Sequence, residues 1–404
     1  MTFTKPVLIS GGGVASLLLA SSLRRSNIPF IVYERDASPI FRAQGYRLRL
    51  SPEGLDAIEK ALPPAKWETF WATCGKTGGA GLVSIDPVTG ETTGQGIDAA
   101  NPSTAPQEVL SSRDGKVVGI SRGDMRKLFM EGIDDSIRWG FHVRSYELTA
   151  DGVRAVFADG SKSEEGCLLV GAEGIYSHVA KQLSGGKLKV YDLGSRGIHG
   201  QAPTAAFKGL GEGVFRLIDE TTVPGSKIFL ITNVRARDMD DPNIQFGWTM
   251  GGSPGVVKAP NDDYTLVGKP AADIAKSLTA NWHPRFKPLF EQMDEREAAF
   301  WKITCSSPDG VPEWPNEPRV TVIGDAVHSM TPAGGIGANT AVRDSELLGR
   351  LLSEAGEFKN GTTEAYEKEM RIYASEAVKT SFRNSQFSLG TKIDMNVTVE
   401  PRDI

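Results

Sequence analysis

Two glycine-bearing turns, near opposite ends of the chain, constrain the fold more than any other feature. Val7-Leu8-Ile9-Ser10-Gly11-Gly12-Gly13-Val14-Ala15-Ser16-Leu17 reads as a buried strand, a tight turn and the start of a helix. The pattern returns at Val320-Thr321-Val322-Ile323-Gly324-Asp325, and Pro332 with Gly334-Gly335-Ile336-Gly337-Ala338-Asn339 then leads into another helix. A helix N-terminus carries unpaired backbone amides and the positive end of the helix dipole, so it attracts phosphate. Glycines at such a turn let the backbone approach a pyrophosphate closely. The two segments imply one extended ligand held by parts of the chain that are far apart in sequence.

The first turn sits in a complete βαβ unit. A helix is predicted over 14–26, ended by Asn27-Ile28-Pro29, and Phe30-Ile31-Val32-Tyr33-Glu34 is an apolar run of parallel-strand composition closed by an acid. Glu34 stands where a carboxylate can accept hydrogen bonds from an adenosine ribose. Ser51-Pro52-Glu53 opens a helix over 51–61, with a serine cap and proline at the first helical position. A further helix is expected from Asp124 to Gly132, strands over 137–143, 153–157 and 166–170, and two C-terminal helices over about 340–356 and 363–388. Between 190 and 300 the texture changes to alternation, as in Gln245-Phe246-Gly247-Trp248-Thr249-Met250, which indicates an antiparallel sheet.

These readings give an α/β fold: a Rossmann-like nucleotide-binding domain in discontinuous segments, with an inserted mixed-sheet substrate domain and C-terminal helices. The expected boundaries are 1–71 for the first nucleotide-binding segment, 72–107 for a loop and strand insertion, and 108–189 for the second segment. The substrate domain takes 190–300, the third nucleotide-binding segment 301–356, and a C-terminal helix and tail 357–404.

Composition narrows the function classes. A net charge of −5 over 404 residues argues against a nucleic-acid partner. The three cysteines, Cys74, Cys167 and Cys305, are far apart, and no metal-ligand spacing exists among them and the five histidines, so no metal is expected. No apolar run nears the roughly 20 residues that span a bilayer, and no cleavable leader precedes the first strand, so a cytoplasmic protein without a membrane partner is expected.

Arg35, Arg42, Arg47 and Arg49 crowd the segment after the second strand, where an anion needs partners. Arg35 and Arg42 are the candidates for the cofactor, and Arg47 for substrate. Arg122 closes a strand just before a helix and can reach the cofactor. Phe246, Trp248 and Met250 share one strand face, which can line a substrate pocket or pack a core. Oligomeric state is left open.

The chain resembles the group A FAD-dependent aromatic monooxygenases of the para-hydroxybenzoate hydroxylase fold. The resemblance rests on the glycine turn with Glu34-Arg35, on Gly171-Ala172-Glu173-Gly174, and on Gly324-Asp325-Ala326-Val327-His328 running to Asn339. Ile120-Ser121-Arg122-Gly123-Asp124-Met125-Arg126 and the stretch from Tyr366 to Tyr373 are most similar to the tetracycline-inactivating branch; salicylate-hydroxylase-like enzymes of secondary metabolism are also similar. The resemblance implies FAD as cofactor, NAD(P)H as a transient co-substrate, and O2 activated as a flavin C4a-hydroperoxide. The implied substrate is an electron-rich aromatic or polyketide-like small molecule. It places FAD on Gly11, Gly13, Val14, Ala15, Glu34, Arg35, Arg42, Arg122, Asp325, Pro332, Gly335, Gly337, Ala338 and Asn339, assigns His328 a structural role, and leaves the chemistry to the flavin with no catalytic side chain named. The chain departs from the family pattern at Ser16 (glycine), Glu173 (aspartate), Tyr176 and His178 (basic residues) and Ile336 (glutamine). The changes at Glu173, Tyr176 and His178 bear on reduction by NAD(P)H. They motivate the alternatives of a redox-neutral cyclase or isomerase and of a non-catalytic ligand-binding flavoprotein.

Overall fold

A computed structural model of the chain describes residues 3–39, 47–77, 82–95, 112–235 and 238–399. A five-stranded parallel sheet forms the centre of the first half. Its order is β17 (Val320–Val322), β11 (Leu168–Gly171), β1 (Val7–Ser10), β2 (Phe30–Glu34) and β8 (Ile137–Trp139). All four residues of β1 and of β11 are buried, as expected of strands covered on both faces. The two turns singled out in the sequence therefore leave the same edge of one sheet, with β11 between them.

Helix α1 (Val14–Arg25) lies against α9 (Gly337–Ala355) with little room to spare: a Cβ on Gly349 would stand 2.4 Å from the Ser22 hydroxyl. Ser16, in place of the usual glycine, is fully buried in α1, and the βαβ unit still forms around it. Helix α2 (Pro52–Ala61) begins where the sequence placed it, with Ser51 Oγ accepting the Gly54 amide at 3.1 Å. Helix α3 (Pro64–Thr73) follows and was not anticipated; its aromatic residues Trp67, Phe70 and Trp71 stack on one another or on the core. Helix α4 (Arg122–Met130), the short α5 (His178–Leu183) and α8 (Asp325–His328), and the long α10 (Thr362–Leu389) complete this half. Strands β9 (Val143–Leu148) and β10 (Val153–Phe157) pair as a hairpin.

Two further sheets shape the cleft. The small one runs β3 (Arg47–Leu50), β7 (Val117–Ser121), β4 (Gly75–Thr77), all antiparallel. The large one has seven strands in the order β16 (Ala299–Cys305), β12 (Tyr191–Pro203), β15 (Gln245–Gly252), β14 (Ile228–Val234), β13 (Gly213–Asp219), β5 (Leu82–Ile85) and β6 (Thr92–Gln95). The expected 72–107 insertion is divided between them: β4 joins the small sheet, while β5 pairs with β13 and carries β6 with it. The large sheet also runs past residue 300, through β16 to Cys305. Helices α6 (Lys269–Leu278) and α7 (Pro288–Glu291) cover one of its faces and close a separate hydrophobic core. Among the described residues no helix is long and apolar enough to cross a membrane.

Candidate active site

The glycine turn works through missing side chains. Gly11 has φ +98°, and a Cβ there would lie 2.5 Å from the Ala172 carbonyl oxygen, so the turn sits directly on the Gly171–Gly174 segment. A Cβ on Gly12 would lie 2.9 Å from a Glu34 carboxylate oxygen. A Cβ on Gly13 would meet nothing within 4 Å, so space opens in front of the first turn of α1. No side chain caps that helix and no acid lies in its first turn. Val14 and Ala15 begin it, and Ala15 is tied to α9 by Ser345 Oγ, which donates to its carbonyl at 2.8 Å.

Glu34 is buried at the end of β2. One carboxylate oxygen accepts the Gly12 amide, and the other accepts the Asp36 amide at 2.9 Å. A carboxylate has about four acceptor positions, so lone pairs remain for a ribose. Arg35 is half-buried beside it. Arg42 and the side chain of Arg47 lie outside the described residues. The arginine that sequence reasoning passed over is Arg126. Its Nε donates to the Gly12 carbonyl at 2.9 Å and one terminal nitrogen to the Pro39 carbonyl at 3.1 Å, so it fixes the glycine turn from behind. Its position four residues after Arg122 was the available signal: one helical turn separates them.

The second turn meets the first. A Cβ on Gly324 would stand 3.6 Å from the Ala15 Cβ. Gly324 has φ +65°, and its amide donates to Asp344 Oδ2 at 2.7 Å. Asp344 is a fully buried hub that also pairs with His328 Nε2 at 2.6 Å and accepts from the Tyr373 hydroxyl at 2.7 Å. Burial pulls the pKa of His328 down, but the Asp344 charge and hydrogen bond, with Asp325 beyond, raise it above its usual value. Asp344 thus holds the turn that aims Asp325. Asp325 is exposed to the cleft, yet close protein walls raise its pKa by desolvation, opposed by His328 and Arg122.

Pro332, Gly334 and Gly335 are exposed, and Gly337 and Ala338 half-exposed, in the loop that enters α9. Gly334 and Gly335 have φ of +95° and +65°, a backbone adopted at little cost only by glycine, and the Gly335 amide donates to the Pro332 carbonyl at 3.0 Å, closing the turn. Asn339 is buried and anchors this loop. Its amide nitrogen donates to the carbonyls of Arg49 and Gly335, both at 2.9 Å, and its oxygen accepts the Ser51 amide at 2.8 Å. The Asn339 side chain is therefore spent on protein. Glu173 also turns inward, accepting the Ser177 hydroxyl at 2.7 Å, and burial raises its pKa against that hydrogen bond. His178 meets Arg144 at 3.1 Å.

The large sheet takes the second of the two readings left open for its apolar face, and the candidate substrate contacts are core residues. Phe246, Trp248 and Met250 are all at most 1% exposed and belong to the core under α6 and α7, so they do not line a pocket. Trp248 packs on Phe290 with ring centroids 5.2 Å apart. The opposite face looks toward the cofactor half. The register sets Ala299, His199, Thr249, Ile231, Arg216 and Ser84 side by side across six strands of that face. His199 Nδ1 lies 3.0 Å from the Thr249 hydroxyl, and its ring stacks on Trp301 at 5.2 Å. Burial and the nearby Arg122 charge lower the His199 pKa to about 3, so the imidazole is neutral. The Arg122 charge thus acts on both Asp325, on the cofactor side, and His199, on the sheet.

The chain is similar to known FAD-dependent proteins in sequence and in fold. The sequence profile of the family described as FAD binding domain matches residues 125–381. A dual O-methyltransferase/FAD-dependent monooxygenase of Phaeosphaeria nodorum is 31% identical over 86% of this chain, which spans 40% of that protein's length. A FAD-dependent monooxygenase of Emericella nidulans is 27% identical, covering 87% of this chain and 88% of its own. Klebsiella pneumoniae HpxO, solved with FAD and uric acid, superposes with a TM-score of 0.75 at 19% identity, over 96% of this chain and 90% of its own.

Proposed function

We propose, from the premise that this chain belongs to the FAD-binding-domain family of the flavin-dependent monooxygenases, that it binds FAD and uses NAD(P)H and O2 to hydroxylate an electron-rich aromatic or polyketide-like molecule. The observation that supports this reading is the convergence of three distant turns, at Gly11, Gly171 and Gly324, on one cleft walled by a half-polar sheet face. The open front of α1 suits a pyrophosphate. Glu34 would take the ribose, Asp325 the polyol chain, and the Gly334–Gly335 loop the edge of the ring system. When bound, the flavin supplies the redox chemistry of oxygen activation.

The rest is done by this chain's own residues. Arg122 brings a fixed positive charge that acts on both Asp325 and His199. His199 is a neutral imidazole held by Thr249, so it would meet a substrate as a polar ring and not as a cation. Trp301 and Ile231 offer apolar surface that keeps water from the reacting region. The chain spans 40% to 42% of the dual-function relatives it matches; the activity proposed concerns this part alone.

The test is a coupled assay on FAD-loaded protein. NAD(P)H oxidation, oxygen uptake and hydrogen peroxide are measured together with a panel of phenols and polyketide-like enols. A true substrate should accelerate NAD(P)H oxidation and consume one O2 per product, with little peroxide. Gly335→Val should raise the peroxide-to-product ratio more than it slows NAD(P)H oxidation. A protein that takes up no FAD would end this reading. One that holds FAD but never oxidises NAD(P)H would favour a redox-neutral reaction.

A further inference from the structure

We propose that Arg49 is the specificity-determining residue of the substrate cleft, and that it selects substrates presenting an anionic oxygen, either a carboxylate or an ionised phenol or enol. The inference rests on the flavoenzyme reading above and concerns which molecule that site accepts.

Arg49 faces the cleft because of the strand it occupies. Leu50 is fully buried in the core of the cofactor half and Leu48 packs against that core, so the residue between them projects from the other face of the small sheet. On that face its cross-strand neighbour is Gly119, and beyond it Gly75; neither fills the space beside the guanidinium. Thr77 lies on the same face, and its hydroxyl donates to Asn233 Oδ1 of β14 at 2.6 Å. Asn233 in turn shares its face with Ile231, in the row that contains Thr249 and His199. The Thr77–Asn233 hydrogen bond therefore joins this face of the small sheet to that face of the large one.

The flavin-side loop adjoins the same residue. The Arg49 Cβ is 3.7 Å from where a Cβ on Gly335 would stand, and the Arg49 carbonyl accepts the Asn339 amide. A group bound to the Arg49 guanidinium would thus lie beside the loop assigned to the ring system.

The guanidinium lacks the partner that its burial calls for. Its Nε is sealed from solvent without a hydrogen bond, and among the described residues no carboxylate pairs with it. Burial lowers its pKa, opposed by the charge of Glu53. A desolvated cation is costly to hold unless an anion meets it, and a planar fork of donors fits a carboxylate or phenolate oxygen. The opposite wall presents no competing carboxylate in its register row. That row offers neutral His199, the Thr249 hydroxyl and Ile231, with Arg216 bonded to Ser84 at 2.9 Å further along.

The experiment uses FAD-loaded protein and two matched probe pairs: 2-naphthoate with 2-naphthamide, and 4-nitrophenolate with 4-nitroanisole. Dissociation constants are read from calorimetry and from the change in the bound flavin's absorption. The parent should prefer at least one anionic probe to its neutral partner. Arg49→Met should weaken that probe by about 10- to 100-fold, the range of a charge-assisted hydrogen bond, and leave the neutral probe within about twofold. Arg49→Lys should restore part of the loss. The pair that responds identifies carboxylate or phenolate as the recognised group. Equal effects on charged and neutral probes, no anionic probe bound by the parent, or loss of FAD from Arg49→Met would each overturn the assignment; in the last case the arginine serves the cofactor. A parent that takes up no FAD fails before any probe is added, and that failure belongs to the flavoenzyme reading.

Discussion

The glycine turn and the seven-stranded sheet meet at the same cleft, but they build it by different means. At the turn the constraint lies in the backbone: a Cβ on Gly11 or Gly12 would strike Ala172 or Glu34, while one on Gly13 would meet nothing within 4 Å and would stand in the open space before α1. In the sheet the backbone is regular, and function depends on which of two faces a side chain occupies. Met250 and Thr249 are neighbours in β15, yet Met250 is sealed in the core and Thr249 is half-exposed beside His199. A motif made of backbone constraints announces itself by residue type. A motif made of facing does not.

The largest expected effect falls on the turn. Gly11→Val forces a β-branched residue into φ +98° and drives its Cβ toward a carbonyl oxygen 2.5 Å away. Backbone strain of this kind costs roughly 1–3 kcal/mol before any clash is counted. The variant should retain no FAD through gel filtration and should melt well below the parent. Full flavin content would mean that the turn is not read through its backbone, and the contrast with the sheet would dissolve.

Second comes the core face of the sheet. Trp248→Ala removes a fully buried ring packed on Phe290 and hydrogen-bonded through Nε1 to the Leu289 carbonyl at 3.3 Å. Truncations of this size cost about 3–5 kcal/mol. Denaturant unfolding should show that loss, while FAD bound to the folded protein should be held nearly as tightly as by the parent. A variant of parental stability with altered substrate preference would instead return Trp248 to the pocket.

The difference explains what was legible in the sequence. The βαβ unit, Glu34, the Gly324-Asp325 turn and the loop to Asn339 could be read because strand, glycine and acid fall in one order along the chain. Arg126, Asp344 and His199 could not. Arg126 acts on Gly12 from a helix over a hundred residues away, and a buried aspartate such as Asp344 looks like any acid on an amphipathic helix until Gly324, His328 and Tyr373 converge on it. The alternation in β15 correctly separated two faces, but alternation is symmetric: it assigns neither face to the core. Helices α6 and α7, encoded after β15, decide that. The 72–107 segment was ambiguous for a related reason, since the partner of β5 is β13, far along the chain.

Third in size is Glu34→Gln, which tests whether the turn also uses a side chain. The carboxylate is buried and accepts the Gly12 and Asp36 amides. Glutamine keeps the shape but loses the charge and one acceptor. Charge-assisted hydrogen bonds contribute about 1.5–3 kcal/mol, so FAD affinity should fall roughly 10- to 100-fold in a fluorescence titration. The melting temperature of the FAD-free protein should change less than in Gly11→Val. Unchanged affinity would leave Glu34 as a brace for the turn alone.

The smallest effect on stability should come from Thr249→Val, and it separates the two faces of the sheet most sharply. The substitution keeps the side-chain shape and removes the hydroxyl 3.0 Å from His199 Nδ1. One neutral hydrogen bond contributes about 0.5–1.5 kcal/mol, so unfolding should shift by about 1 kcal/mol. That is a fraction of the loss expected one residue earlier, at Trp248. The functional change should run the other way. The Thr249 hydroxyl helps to fix the orientation of the neutral His199 ring, which also stacks on Trp301. With that tether gone the imidazole is held less firmly, and a substrate hydroxyl bound to it would be less well placed. KM should rise and more peroxide should appear per NAD(P)H oxidised, at unchanged FAD content. A large stability loss, or coupling equal to the parent's, would show that this face is a second core and that the cleft opens elsewhere.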